Sequence, residues 1–357
     1  MKVSPVLRLA VTSGLPHTVW FTGQHEESID DLISDFQLTS KFVMPGRRHE
    51  RSSVGKLLTW LPIAFRDCRR FVRSVARSQN LSPLVVVHGD TLSTLVGALA
   101  AKSTGAEVVH MESGLSSLRL LDPFPEEILR RLTFKFTRYA LCPNADASAR
   151  MRRRGQCVVV DTGDNTMLDC VRHAVAKSKL PVWHEAEPYF VTSIHRFENI
   201  YRKSYLTQIV DDVVAVSAYG KVHFVLHPST ERRLRKSGFL ELLRASPGVT
   251  LEPRMPFTRF LALIAGARGV LSDGGSNQEE LSYLGVPTVL FRERSERPNG
   301  LGANIVFRRE VPHSLAHFVE SGNLDKLRQA SCLSNDVQPS QTTILSLHQW
   351  SRHVAKK

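Results

Sequence analysis

Short runs of apolar and β-branched residues alternate along the chain with longer segments whose apolar positions recur at helical spacing, the pattern of βα units on a parallel sheet. In the first half the pattern predicts strands at Thr18 to Thr22, Leu84 to His88, Glu107 to His110, Tyr139 to Cys142 and Val158 to Asp161. In the second half it predicts strands at Tyr189 to Thr192, Val222 to Leu226, Val249 to Glu252, Gly269 to Ser272 and Thr288 to Phe291. Two similar sets imply an α/β chain of two Rossmann-like domains, each a parallel sheet with helices on both faces. The polar stretch from Ala176 to Pro188, which also holds Pro181, is the linker candidate. Domains are therefore expected at residues 1–175 and 185–339, with a last helix, 340–357, packing back on the first. Polar, glycine-containing turns follow the strands, and open α/β sheets bind ligands at such strand ends.

Composition narrows the class without choosing a ligand. The 357 residues suit two domains and so a cleft, and 42% hydrophobic with 23% charged residues is a globular composition. No segment is apolar for long enough to cross a bilayer, and the first residues lack the layout of a signal peptide, so a cytoplasmic protein without membrane insertion is expected. Cys68, Cys142, Cys157, Cys170 and Cys332 show neither Cys-x-x-Cys pairing nor metal spacing, which excludes a disulfide framework and a zinc site as readings of the sequence. The net charge of +13 favours anionic ligands in general. No nucleic-acid module signature accompanies it.

Candidate chemistry gathers at the turns. Gly89-Asp90-Thr91 follows one strand, where Asp90 could act on a substrate or cap the next helix. Glu112-Ser113-Gly114 follows the next strand, and Pro125-Glu126-Glu127 opens a helix. Adjacent parallel strand tips converge, so Asp90, Glu112 and Glu126 could share one small space, and crowded carboxylates are suited to proton transfer. In the second half His195-Arg196 follows a strand and offers cationic groups to an anion. Asp273-Gly274-Gly275-Ser276 turns a strand into a helix whose free N–H groups can receive phosphate. Glu280 in that helix could accept ribose hydroxyls. Arg292 to Pro298, including Arg297, could add positive charge or pair with its own acids.

The order and spacing of these motifs resemble the non-hydrolysing UDP-N-acetylglucosamine 2-epimerases, whose two-Rossmann-domain fold is shared with the B-type glycosyltransferases. Thr22-Gly23-Gln24-His25, Gly89-Asp90-Thr91, Glu112-Ser113-Gly114-Leu115, Pro125-Glu126-Glu127, His195-Arg196-Phe197-Glu198-Asn199, His227-Pro228, Gln278-Glu279-Glu280 and Ser295-Glu296-Arg297-Pro298 carry the resemblance from about residue 2 to about residue 310. The resemblance implies removal of the proton on sugar carbon 2, elimination of UDP to a glycal and re-addition with carbon 2 inverted, in the service of surface polysaccharide synthesis. It assigns Asp90, Glu112 and Glu126 as acid/base carboxylates and His195 as the catalytic histidine that holds the diphosphate. Arg196, Gly274, Gly275, Ser276, Glu280, Arg297 and Lys2 would bind substrate, and Gln24 and His25 mark a possible allosteric site. A homodimer is implied, and no metal or redox cofactor. Gly89-Asp90-Thr91 is unlike the Gly-Asp-Arg of the hydrolysing relatives, which release free sugar, although His88 is more like that branch. A hydrolysing enzyme, a glycosyltransferase or an inactive nucleotide-sugar-binding homologue are the alternatives.

Three features depart from the pattern. Members of that family begin with a strand and a Gly-Thr-Arg-Pro-Glu loop that this chain lacks, so two neighbouring strands are expected without ladder partners and Lys2 is expected to be displaced. The family turn usually reads Asp-Ser-Gly-Gly, whereas here Gly274 and Gly275 precede Ser276. Gly300 to Asn304 reads as an insertion in a ligand-side loop.

Overall fold

The computed structural model describes residues 1–22, 29–44, 54–80, 82–120, 124–178, 187–295 and 297–354. The chain divides into two compact units, one of residues 1–170 with 335–357 and one of residues 171–334. Gln24 and His25 lie outside the described residues.

The first unit opens with helix α1 (Ser4–Thr12), then β1 (Val19–Trp20), α2 (Ile29–Phe36), β2 (Phe42–Val43) and the long α3 (Val54–Gln79). Strand β3 (Leu84–His88), α4 (Leu92–Lys102), β4 (Glu107–Met111), α5 (Glu126–Phe136), β5 (Tyr139–Cys142), α6 (Ala145–Arg153), β6 (Val158–Asp161) and the start of α7 (Met167–Lys177) complete the alternation. All ladders are parallel, but the strands fall into two of them, β1–β2 and β3–β4–β5–β6. Among the described residues the break between these two ladders falls beside β3, where Val86 is 40% exposed in mid-strand. Core packing bridges it, since Trp20 of β1 joins Val85 and Val87 of β3 around Trp60, Val72 and Val96.

Local chemistry explains the helix starts. Thr91 caps α4, its hydroxyl accepting from Thr94 N at 3.3 Å, and Asn144 caps α6, accepting from Ala147 N at 2.9 Å. Glu126 and Glu127 occupy the first turn of α5, where the helix dipole favours negative charge.

In the second unit β7 (Tyr189–Ser193) is followed by α8 (Phe197–Tyr201), α9 (Lys203–Val216), β8 (Lys221–Leu226), α10 (Pro228–Ser237), α11 (Phe239–Ala245) and β9 (Val249–Pro253). Then come α12 (Phe257–Ala265), β10 (Gly269–Ser272), α13 (Gly275–Leu284), β11 (Thr288–Leu290), β12 (Ile305–Phe307) and α14 (Leu315–Glu320). Six parallel strands form one sheet in the order β12–β11–β10–β7–β8–β9. Phe190, Phe224, Leu271 and Val289 from this sheet pack with Ile209 and Val213 of α9. A final helix, α15 (Pro339–Val354), belongs to the first unit, where Trp350 stacks on Tyr139 at 4.3 Å and packs with Val6 and Ala10 of α1.

Every anticipated strand forms, while the short β2 and β12 were not anticipated because two or three apolar residues carry no periodicity. The segment read as a ligand-side insertion leads into β12 instead. Its Asn304 is buried, donating to Leu281 O at 2.9 Å and to Val286 O at 2.8 Å, so it ties β12 to the end of α13.

Candidate functional site

Register places the first set of groups. His88 pairs with Met111 across β3 and β4, so the turns that follow, Gly89-Asp90 and Glu112-Ser113, leave the sheet side by side. Gly89 N donates to Met111 O at 3.1 Å, and Gly89 has φ 72°, a conformation glycine adopts at little cost. A Cβ at that position would stand 3.7 Å from Glu112 Oε2, which shows how near the second carboxylate comes to the first turn. Thr91, not Asp90, caps α4, so Asp90 is left for another role.

Asp90 is paired instead with Arg130 of α5, whose guanidinium is buried. Glu112 has φ 58°, a left-handed conformation that costs a non-glycine residue on the order of 1 to 3 kcal/mol and often marks a functional position. Its carboxylate is 9% exposed and contacts Lys2 Nζ and Asn165 Nδ2, and His88 Nε2 stands 3.2 Å from its other oxygen. Lys2, expected to be displaced, is thus buried and holds Glu112, because an ammonium beside a desolvated carboxylate offsets the cost of burying both. Glu126 lies four residues before Arg130, on the face of α5 that reaches Asp90. Its Oε2 is buried and accepts no hydrogen bond from the described residues.

Glu127, its neighbour in the acidic pair, has a different part. It is fully buried and accepts from Ser116 Oγ, from Ser117 N at 3.3 Å, from Arg130 at 2.6 Å and from Arg131 at 2.8 Å. Burial works against its charge, but these donors prevail and hold its pKa below the usual carboxylate value. Two histidines complete the surroundings. Burial pushes the imidazoles of His88 and His110 down to about 4, so both are neutral near pH 7. His110 Nε2 donates to Gly89 O at 2.8 Å and so fixes the turn that carries Asp90.

The second unit repeats the arrangement with other chemistry. Ser193 pairs with Ser272 across β7 and β10, which brings His195 beside Asp273. Asp273 is wholly buried and accepts from His195 N at 3.0 Å, Arg196 N at 2.9 Å and Asn199 Nδ2 at 2.9 Å. Its Oδ1 also stands 3.2 Å from His195 Nδ1, an arrangement that orients the ring and turns Nε2 away from the carboxylate. His227 lies with its ring 5.9 Å from that of His195, and its Nδ1 is occupied with Ser229 at the start of α10.

Gly275 and Ser276 begin α13 with no side-chain cap, so their N–H groups remain available to an anion, whereas the N–H of Gly274, expected to join them, donates to Ser272 Oγ at 3.2 Å. A Cβ on Gly274 would lie 3.1 Å from His195 Cε1, so glycine allows the histidine to approach the helix start. Glu280 is 1% exposed in the second turn. Arg297 pairs with Glu279, and Gln278 donates to Arg297 O and Asn299 O at 2.9 Å each. The Gln278-Glu279 pair therefore fastens the loop carrying Arg297 to α13. Arg196 pairs with its own Glu198 at 2.6 Å.

A protein-family model described as UDP-N-acetylglucosamine 2-epimerase matches residues 8–321. The chain belongs to the UDP-N-acetylglucosamine 2-epimerase family. It is 31% identical over 323 residues to the UDP-N-acetylglucosamine 2-epimerase of Methanocaldococcus jannaschii, covering 86% of this chain and 84% of the relative. Among solved structures, the Neisseria meningitidis UDP-GlcNAc 2-epimerase bound to UDP-GlcNAc superposes with a TM-score of 0.80 at 22% identity, covering 98% and 96% of the two chains. The Methanocaldococcus jannaschii enzyme in complex with UDP-GlcNAc and UDP gives 0.79 at 22% identity with the same coverage. The chain thus has the fold of these epimerases, as its motifs implied.

Arg130, Asn165 and Asp273 are among the site residues of this family member to which sequence reasoning gave no role. The signal for Arg130 was its i+4 spacing from Glu126 on a helix, and that for Asp273 was its place directly after a buried strand. Asn165 had none. Among the described residues no group of three or more His, Cys, Asp or Glu side chains could hold a metal ion, and no helix is long and apolar enough to cross a membrane.

Proposed function

We propose that this chain epimerises UDP-N-acetylglucosamine to UDP-N-acetylmannosamine at carbon 2. The observation that carries the reading is the register of β3 and β4, which sets the ion-paired carboxylates Asp90 and Glu112 at adjacent strand ends. A carboxylate takes the proton from carbon 2 while the bond from carbon 1 to the UDP oxygen breaks, giving the glycal and UDP. Protonation of carbon 2 from the opposite face, with UDP re-adding at carbon 1, completes the inversion. Asp90, Glu112 and Glu126 are the acid/base groups in this reading, with Lys2 as the cation that holds Glu112. His195, Arg196 and the N–H groups at Gly275 and Ser276 receive the diphosphate, with Gly274 leaving room for His195 beside them, Glu280 receives the ribose, and Arg297 braces the loop beside α13. Family membership also supports a homodimer acting in the cytoplasm in surface polysaccharide synthesis, with Gln24 and His25 as the place to seek regulation. Light scattering would check the dimer.

Proton NMR of UDP-N-acetylglucosamine with the protein in heavy water tests the reaction. Deuterium entering carbon 2 with UDP still attached is the expected result. Free N-acetylmannosamine would replace epimerisation by hydrolysis, and no exchange would overturn the reading.

A further inference from the structure

We infer that Arg130 is a positioning residue for proton transfer and acts through Asp90. The inference rests on the reading of Asp90 as an acid/base group. Arg130 is 3% exposed, and its guanidinium is divided between a carboxylate one helical turn away, Glu127, and one distant in sequence, Asp90. One nitrogen donates to Glu127 Oε2 at 2.6 Å and the other to Asp90 Oδ2. Glu127 is itself fixed from three further directions, by Ser116, by the Ser117 backbone and by Arg131. One end of the guanidinium fork is therefore anchored, and the other dictates where the more exposed Asp90 carboxylate, 26% accessible, can sit.

A merely structural account is insufficient. Glu127 already has Arg131 and two serines, so holding the Ser116–Ser117 loop does not require a second arginine that reaches across to the β3–α4 turn. Nor is a buried arginine a good stability device, because a well-packed apolar residue of similar volume commonly serves as well or better. What the apolar residue could not do is aim a carboxylate and keep a positive charge against it. Asp90 has no other role in the turn, since Thr91 caps the helix and His110 holds Gly89.

The test measures carbon 2 deuterium exchange and steady-state epimerisation for wild type, R130K, R130M, R130A, D90N and D90N/R130M. R130M is expected to lower kcat by ~100-fold with KM for UDP-N-acetylglucosamine changed less than about threefold, the split of a residue that serves the chemical step. R130K keeps the charge without the fork and is expected to recover to within ~10-fold of wild type. Guanidinium ion at low millimolar concentration should raise the rate of R130A, and D90N/R130M should be no slower than D90N. A wild-type kcat in R130M, a rise confined to KM, or a double variant slower by the product of the single losses would overturn the inference. If R130M fails to fold, R130K and the rescue of R130A decide in its place. Wild type without exchange removes the function reading and this inference together, whereas active wild type with an indifferent Arg130 removes this inference alone.

Discussion

The two units are built on the same alternation of parallel strands and helices, yet they hold the carboxylates that follow their strands in opposite ways. In the first, the carboxylates after β3 and β4 are paired with side-chain cations: Glu112 with Lys2, and Asp90 with Arg130, which also holds Glu127 of α5. In the second, the buried carboxylate Asp273 is held by the backbone N–H groups of His195 and Arg196 and by an asparagine, and the uncapped start of α13 faces outward from the same turn. Side-chain pairs leave a carboxylate that can gain and lose a proton. A cradle of backbone dipoles gives a fixed geometry suited to an anion that does not change its charge. The sheets differ in the same sense. The second unit has one six-stranded ladder with β10 and β11 fully buried, whereas the described strands of the first fall into two ladders that break beside β3, the strand that leads into Asp90.

If chemistry and binding are divided in this way, the largest effects should separate cleanly. Asp90→Asn, Glu112→Gln and Glu126→Gln are each expected to lower kcat by ~10²- to 10⁴-fold while UDP affinity changes less than about twofold. His195→Ala is expected to weaken UDP binding by ~10-fold or more through loss of a charge-assisted contact to phosphate. Isothermal titration with UDP beside steady-state rates reads both. A carboxylate variant that loses UDP affinity in proportion to its rate would break the division.

How much of this was legible beforehand follows the same line. Strand positions could be read because buried β-branched runs such as Leu84 to His88 and Val222 to Leu226 announce themselves by composition and length. The acid/base candidates could be read because they follow those strands. The partners could not: nothing in a one-dimensional pattern says that Arg130 turns toward Asp90 40 positions away, or that Lys2 reaches Glu112 across 110. Such pairs are made by tertiary packing, and a charged residue in sequence looks the same whether solvated or buried. Phe42-Val43 and Ile305 to Phe307 escaped for a related reason, since short strands are set by the neighbours that receive them.

Protonation offers a smaller test of the first unit alone. His110 is wholly buried, its Nε2 bonded to Gly89 O and its Nδ1 without an acceptor among the described residues. Its pKa, about 4, lies below the ordinary 6.5, so between these values the unfolded chain binds a proton that the folded chain refuses. Stability from this group is therefore complete above pH 6.5 and is lost as pH falls toward 4, to a limit of about 3 kcal/mol. Amide exchange in β3 and β4, corrected for its intrinsic pH dependence, should report the loss, and His110→Asn should reduce it to the part that His88, also pushed down to about 4 by burial, contributes. An equal loss in the β7–β10 ladder would show that the effect is general charging rather than this ring.

The finest test lies where the second unit brings its glycine closest to its histidine. Gly274 has φ −77° and ψ 130°, which alanine adopts without strain, so Gly274→Ala should leave stability nearly unchanged and can even gain a little from a less flexible unfolded chain. The new methyl would meet His195 Cε1 and Asn277 Cγ at 3.1 Å, closer than ordinary contact, so the imidazole must shift by a few tenths of an ångström. A shift of that size in a charge-assisted contact is expected to weaken UDP binding by ~3- to 10-fold, about 1 kcal/mol, with kcat nearly unchanged. The same substitution in a His195→Ala background should then cost much less UDP affinity, because only the contact with Asn277 remains. If it weakens UDP equally with and without the histidine, the helix start itself has been disturbed, and the glycine serves the N–H groups of α13 rather than the approach of His195.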